Sequence, residues 1–387
     1  MPGSTESTAD PSGPSRAAGP DAEPGPEVEP GPEVEPGAAV GPGAERRGRL
    51  HPAVARVRSA VREMLTELPQ GTTVLVACSG GADSLALAAA TAFEAPKLGL
   101  TAGAVIVDHD LQDGSAEVAS KAADQCRSLG LDPVRQVRVE VSGGGGPEAA
   151  ARTARYDALR AAAEELAADV ILLAHTRDDQ AETVLLGLAR GSGARSLAGM
   201  APVSGRLRRP FLDVSRGTTV AACLASGLTP WHDPHNDDPA YTRVRVRREV
   251  LPVLAEALGP GVTEALARTA GLVRADADAL DALAAELTTA AVRRTGPETS
   301  EIDPAGGIEV HCEIGALETE HQALRTRVLR QAAIDAGCRA TDLSAAHVAA
   351  VDELITGWRG QRWIDLPQGV RAVRRAGAIV LGQGVTG

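Results

Sequence analysis

"VACSGGADSLAL", residues 76–87, is the stretch whose reading decides the fold. The run leading into it, "TTVLVAC" (72–78), is short, apolar and rich in β-branched residues, as in a strand buried on both faces. Ser79-Gly80-Gly81 interrupts it, and "ADSLALAAA" (82–90) follows at once with strong helix formers. Glycines let the backbone turn tightly, and the first N–H groups of a helix have no partner inside it. A strand–glycine–helix junction is therefore an anion site. No Gly-Lys-Ser/Thr closes this loop, so it is not the Walker phosphate loop. Ser79, Gly80, Gly81, Ala82, Asp83 and Ser84 are the candidate nucleotide-binding residues, their backbone N–H groups and hydroxyls holding a diphosphate without a lysine.

Outward from this loop, strands alternate with helices from residue 49 to about 216. Helical periodicity covers 49–68, and a second strand, "TAGAVIVDHD" (101–110), precedes a helix over 116–130. "VRQVRVEV" (134–141) is a third strand, and 147–168 a long helix opening on Pro147. "DVILLAH" (169–175) is a fourth strand, leading into a helix over 178–191. Such alternation predicts an α/β fold with a parallel sheet covered on both faces. Ligands in such sheets sit beyond the carboxyl ends of the strands. Ser79–Ser84, Asp108–His109 and His175–Glu182 all fall there.

After about 217 the pattern changes to a short helix (218–228), a polar loop (229–243), a long alanine-rich helix (261–287) and a terminal β-hairpin or small sheet within 362–382. The expected organisation is a tail over 1–48, a nucleotide-binding domain over 49–216, and a mostly helical domain with a small β element over 217–387. The tail repeats "EPGPEV" at 23–28 and 29–34 and lacks the apolar residues to offset its ordering entropy, so it reads as disordered.

Charge divides in the same way. The net charge is −12, yet residues 1–45 hold nine acids against Arg16, a net −8, so the rest of the chain carries only −4. Residues 203–250 hold eight arginines against five acids, including Arg206, Arg208, Arg243, Arg245 and Arg247. Arg371 and Arg374 lie near Trp358 and Trp363 at the other end. Local basic patches with aromatics fit phosphates and unpaired bases, so these seven arginines are the candidate RNA contacts. The five cysteines are scattered, with no Cys-x-x-Cys, and read as small buried residues in a reducing compartment. Nothing resembles a signal peptide or a membrane span, which predicts a soluble cytoplasmic protein. The oligomeric state stays open, a homodimer among the alternatives.

Taken in order, "SGGADS" (79–84), "VDHDL" (107–111), "EAAARTARYDAL" (148–159), "AHTRDDQAETVLLGLARGSGARSLAGM" (174–200), "RRPFLDVSR" (208–216) and "WHDPHNDDPAYTRVRVRREVLPVL" (231–254) resemble the tRNA(Ile)-lysidine synthase family of PP-loop ATP pyrophosphatases. The resemblance implies an adenine nucleotide alpha hydrolase-like domain. It implies ATP and Mg²⁺, L-lysine, and a tRNA(Ile) with a CAU anticodon, whose wobble cytidine is adenylated and then attacked by lysine. It also implies that Asp83, Asp179 and Glu182 handle lysine or magnesium, with Asp83 and Asp179 as metal ligands. Arg152 and Arg155 would hold the α-phosphate or the cytidine, and His109 would border the adenine. Asp179 and Glu182 are i,i+3 neighbours at a helix start and share a face, a spacing that also makes a capping box. The chain departs from the family's usual wording at Asp110 and Gln112, at Thr176 and at Val244. Two other readings fit the loop: tRNA thiolation by a related enzyme, and a non-catalytic nucleotide sensor.

Overall fold

A computed structural model describes residues 50–108, 114–139, 147–191, 193–295 and 308–383. The tail, His109, Asp110 and Gln112 lie outside the described residues. The first sheet contains β1 (Thr73–Ala77), β2 (Thr101–Asp108), β3 (Val134–Arg138), β4 (Val170–Leu172), β5 (Val203–Ser204) and β6 (Leu207–Arg208). Its order is β3-β2-β1-β4-β6-β5, parallel except for the β5–β6 hairpin at one edge. The expected parallel α/β sheet is therefore present. The two-residue strands β5 and β6 are additions, too short to carry a periodic signal.

The alternation of β1 explains its place at the centre. Val74 and Val76 face a core shared with α1 (Pro52–Leu65), α2 (Ala82–Glu94), α3 (Ser115–Ser128) and α7 (Arg216–Ala225). Leu75 faces the other way, onto Leu159, Ala162 and Ala163 of α4 (Pro147–Glu165). Both faces are thus covered, which is why the strand reads as a continuous apolar run. Gly103 of β2 is required by this packing: a Cβ there would lie 2.4 Å from the Pro133 carbonyl and 2.9 Å from Leu75.

After β3 the chain returns to the far side of β1 as β4, so successive connections diverge between these two strands. The carboxyl ends of β1 and β4 consequently flank an open crevice. α5 (Arg177–Ala189) begins just after β4. Its capping box lies three residues earlier than the Asp179/Glu182 spacing suggests. Thr176 is the N-cap, and the box closes with Asp179 at the third position. Thr176, one of the departures, thus has a helix-capping role here.

α6 (Ala194–Leu197) follows α5, and beyond α7 the chain forms α8 (Thr242–Arg245), one π-helical turn (Val246–Val250), α9 (Leu251–Leu258) and the long α10 (Val262–Ala291). Val246 and Leu251 pack with Ala181 of α5, so this segment is anchored to the helix that opens beside the crevice. Val244, another departure, is buried. The remainder is a second sheet of β7 (Val292–Thr295), β8 (Glu309–Glu313), β9 (Ile364–Asp365), β10 (Val370–Arg375) and β11 (Ala378–Gln383), in the order β7-β8-β11-β10-β9, every pair antiparallel. The expected hairpin is β10–β11, turning at Ala376 and Gly377, both with positive φ. With β9 paired to β10 the expected element is a small sheet, and it extends further because β7 continues directly from α10 and β8 alternates with Val310 and Cys312 inward. α11 (Ile314–Leu317), α12 (Gln322–Asp335) and α13 (Ala345–Thr356) complete this core. No single described helix is long and apolar enough to cross a membrane. All five cysteines are buried and unpaired as disulfides, as their spacing implied.

Candidate active site

The loop after β1 is tied by one hydroxyl. Ser84 Oγ accepts from the Ser79 N–H at 3.1 Å and donates to the Gly81 carbonyl at 2.9 Å. Ser79 Oγ lies 3.2 Å from the same atom. Gly81 caps α2 without a side chain, so the first N–H groups of that helix have no side-chain cap among the described residues. The helix N-terminus remains available to an anion. Gly80 has φ +81°, and a Cβ there would lie 3.2 Å from the Cβ of Ala122. Gly80→Ala is therefore expected to cost about 1–2 kcal/mol in unfolding free energy, the price of left-handed backbone in an L-residue. Urea denaturation checks this; an unchanged midpoint would mean the loop relaxes without strain.

The loop opens on a cavity of about 700 Å³, within the range of small-molecule sites. Ser79, Asp83, His175, Asp179, Arg216 and Trp231 are among the residues lining it. The Trp231 N–H donates to the Gly80 carbonyl at 2.9 Å, which pins the 229–243 loop over the phosphate loop.

Opposite the loop, α5 and α7 bring carboxylates and arginines together. Asp179 Oδ2 accepts from the N–H and hydroxyl of Thr176, at 2.8 and 2.9 Å. Its other oxygen accepts from Arg216 Nη2 at 2.7 Å. Burial alone would raise the Asp179 pKa, but Arg216 and the Thr176 N–H outweigh it and hold the carboxyl below its ordinary value. Asp83 shows the reverse balance. Burial raises its pKa, and neither the Thr219 hydroxyl that donates to it nor Arg216, with Nε at 3.7 Å, fully compensates. Arg216 also donates its backbone N–H to Asp178 at 2.8 Å. Burial would lower the pKa of its guanidinium, but Asp179, Glu182 and Asp83 raise it.

Glu182 is fully buried and held by three guanidiniums. Arg247 Nε donates at 2.7 Å and Arg216 Nη1 at 3.4 Å. Arg243 Nε lies 3.2 Å away as an ion pair that lacks hydrogen-bond alignment. Arg243 also donates to Thr183 Oγ1 at 2.7 Å. Asp83 and Asp179 thus border the cavity, whereas Glu182 sits behind them as the anchor of the arginines.

The other expected residues are placed as follows. Arg155 lines the cavity, its pKa lowered by burial, while Arg152 on the same helix is exposed. His109 is outside the described residues. Arg206 is exposed, and Arg208 donates to the Gly205 carbonyl at 2.6 Å. Arg245 donates to the carbonyls of Pro239 and Ala240. Arg371 pairs with Asp365 at 2.9 Å and lies over Trp363; Arg374 lies over Trp358. Sequence reasoning missed Arg216, Thr219 and Trp231. "DVSRGTT" (213–219) does carry a signal, since Ser215 is an N-cap and places Arg216 at the first turn of α7.

Comparison with known proteins agrees with this architecture. A family model for the PP-loop domain matches residues 54–254, and one for the TilS substrate binding domain matches 313–380. The tRNA(Ile)-lysidine synthase of Thermobifida fusca is 58 % identical over 330 residues, covering 85 % of this chain and 98 % of that protein. The one from Streptomyces coelicolor is 53 % identical over 363 residues, covering 86 % and 99 %. The one from Mycobacterium bovis is 46 % identical over 336 residues, covering 85 % and 97 %.

Proposed function

We propose a residue-level mechanism on one premise: the chain belongs to the tRNA(Ile)-lysidine synthase family. Its reaction is the ATP-dependent formation of lysidine on tRNA(Ile). The observation that carries the mechanism is the cavity lined by the uncapped N-terminus of α2, with Asp83 in its first turn, and by Asp179 of α5. In the first step the cytidine O2 attacks the α-phosphorus and pyrophosphate leaves, held by Ser79–Ser84. In the second the ε-amine of lysine attacks C2 of the cytidine, and AMP leaves with O2.

Asp83 and Asp179 would hold the lysine ammonium before it loses its proton. The same pair fits Mg²⁺, which takes one or two hard carboxylates and completes its shell with phosphate and water. When bound, that ion offsets the charge of the departing pyrophosphate. Arg155 lies on the cavity wall, where its fork can hold an anionic oxygen. ATP chemistry is assigned to 49–216 and tRNA contact to 217–387, with Arg243 and Arg247 reaching back to Glu182 from the second segment. Arg206, Arg208, Arg245, Arg371 and Arg374 remain the candidate phosphate contacts. Thiolation is not favoured: every cysteine is buried, and only Cys78 of the five lines the cavity.

The test is incorporation of labelled lysine into two transcripts with the CAU anticodon, tRNA(Ile) and tRNA(Met), with ATP and Mg²⁺. Labelling of the first alone, with AMP and pyrophosphate released, is expected. AMP release with no lysine incorporated would leave adenylation standing and remove lysine as the nucleophile.

A further inference from the structure

Beside the cavity, α4 and the end of β6 bring together arginines with no acid to balance them. Arg152, Arg155 and Tyr156 share one face of α4, and the two guanidinium carbons lie 5.2 and 5.6 Å from the Tyr156 ring centroid. Arg209, next after β6, lies against the Tyr156 hydroxyl without hydrogen-bond alignment. It is only 7 % exposed, and its Nη1 donates to the Ala201 carbonyl at 2.7 Å. Arg209 Nε, Arg155 Nε and the Tyr156 hydroxyl are sealed from solvent and have no hydrogen-bond partner among the described residues. No carboxylate among them pairs with Arg152, Arg155 or Arg209. Burial alone would raise the Tyr156 pKa, but the surrounding arginines outweigh it and lower it. Buried donors and buried charge without partners are costly, so this group calls for an anionic acceptor.

Sheet order separates the group from the nucleotide loop. The loop follows β1 and Arg209 follows β6, with β4 between them. Two strand spacings make about 10 Å. Of the group only Arg155 lines the cavity, whereas Arg152 is exposed and Tyr156 half-buried, so the group also opens to the surface. We propose that Arg152, Tyr156 and Arg209 form a second anion site, which takes a backbone phosphodiester flanking the wobble cytidine and leads that base into the cavity. The assignment to RNA rests on the lysidine reading above. Guanidinium forks match the oxygens of a phosphate, and such contacts fix the register of a nucleic acid without reading its bases. A phosphate of ATP offers the same chemistry, and the test separates the two sources.

Binding of tRNA(Ile) to the full chain is measured without ATP, using RNA assembled with a single methylphosphonate linkage 5′ or 3′ of the wobble cytidine. The ribose before each linkage is 2′-deoxy, as in the control. A neutral linkage at one of these positions is expected to weaken wild-type binding by about 10-fold or more, the scale for a hydrogen bond to a charged group. Arg209→Ala is expected to weaken binding of the control by a similar factor and to be indifferent to that linkage, because groups in contact do not lose affinity twice. Tyr156→Phe, which removes only the hydroxyl, is expected to show the same non-additivity with a smaller loss. It carries the test if Arg209→Ala does not fold. Losses that simply add at both linkages would overturn the site. ATP affinity, measured by equilibrium dialysis without tRNA, is expected to be unchanged in both variants, and a 10-fold loss would assign the site to the nucleotide instead. Wild type that binds tRNA(Ile) but never adenylates it is a separate result, which would remove the lysidine reading and leave the phosphate contact standing.

Discussion

Glu182→Ala is expected to lower unfolding free energy by about 3–5 kcal/mol, the scale for removing one partner from a buried ion pair. The carboxylate has no exposed surface, and Arg216, Arg243 and Arg247 converge on it from α7 and from the segment around α8. Its loss leaves three positive groups facing one another. These guanidiniums retain about a quarter of their side-chain surface in contact with solvent, at 25–27 % exposure. Water can therefore screen them in part, which places the expected cost near the lower end of that range. Glu182→Gln separates charge from shape, since it keeps the volume and one acceptor oxygen. Urea unfolding of both variants gives the answer. If the glutamine variant is as stable as wild type, the arginines are held by packing rather than by charge. Because Arg216 also orients Asp179, lysine incorporation should fall together with stability.

Asp179→Asn is expected to slow lysine incorporation by about 10²–10³-fold, the loss typical of one preorganised electrostatic group. An amide oxygen can still accept from Thr176 and cap α5. Its NH₂ would then face Arg216 Nη2, donor against donor, where the carboxylate accepts at 2.7 Å. The variant should therefore fold with a modest loss of stability while losing affinity for cations. Pyrophosphate release and lysine transfer, measured separately at several lysine and Mg²⁺ concentrations, locate the defect. A rate equal to that of wild type at saturating lysine and Mg²⁺ would show that Asp179 is only a helix-capping residue.

Linkage adds a pH signature to the same residue. The folded-state pKa of Asp179 is depressed, so its ionised form stabilises the fold above the unfolded value of about 3.9. That contribution is lost as pH falls below this value toward the folded one. Wild type and Asp179→Asn should accordingly converge in stability at acidic pH, and a constant difference would contradict the pairing.

The parallel sheet, the phosphate loop and the terminal hairpin were legible in the sequence because each depends on neighbours in the chain. "TTVLVAC" is a two-faced strand by composition, Gly80 and Gly81 are turn residues by backbone freedom, and a turn before "AIVLG" joins two short apolar runs. The capping box lies three residues before the place its spacing suggested. Thr176 competes for the role that the spacing of Asp179 and Glu182 appeared to offer, and only the start of the helix decides between them. Strands β5 to β8 are too short, or too far from their partners in sequence, to be read from a period.

What tertiary structure alone decided is the pairing of charges and the burial of polar atoms. Arg216 meets Glu182 across 34 residues and Arg247 meets it across 65, distances over which no local pattern links an arginine to its carboxylate. The sequence determined that a nucleotide loop would stand beside a group of acids. Folding determined that Asp83 and Asp179 face the cavity, that Glu182 lies behind them, and that Arg209 is buried without a carboxylate. Hydrophobic periodicity is local and survives in one dimension, whereas electrostatic partnership depends on which side chains are brought within a few ångströms once the core has formed.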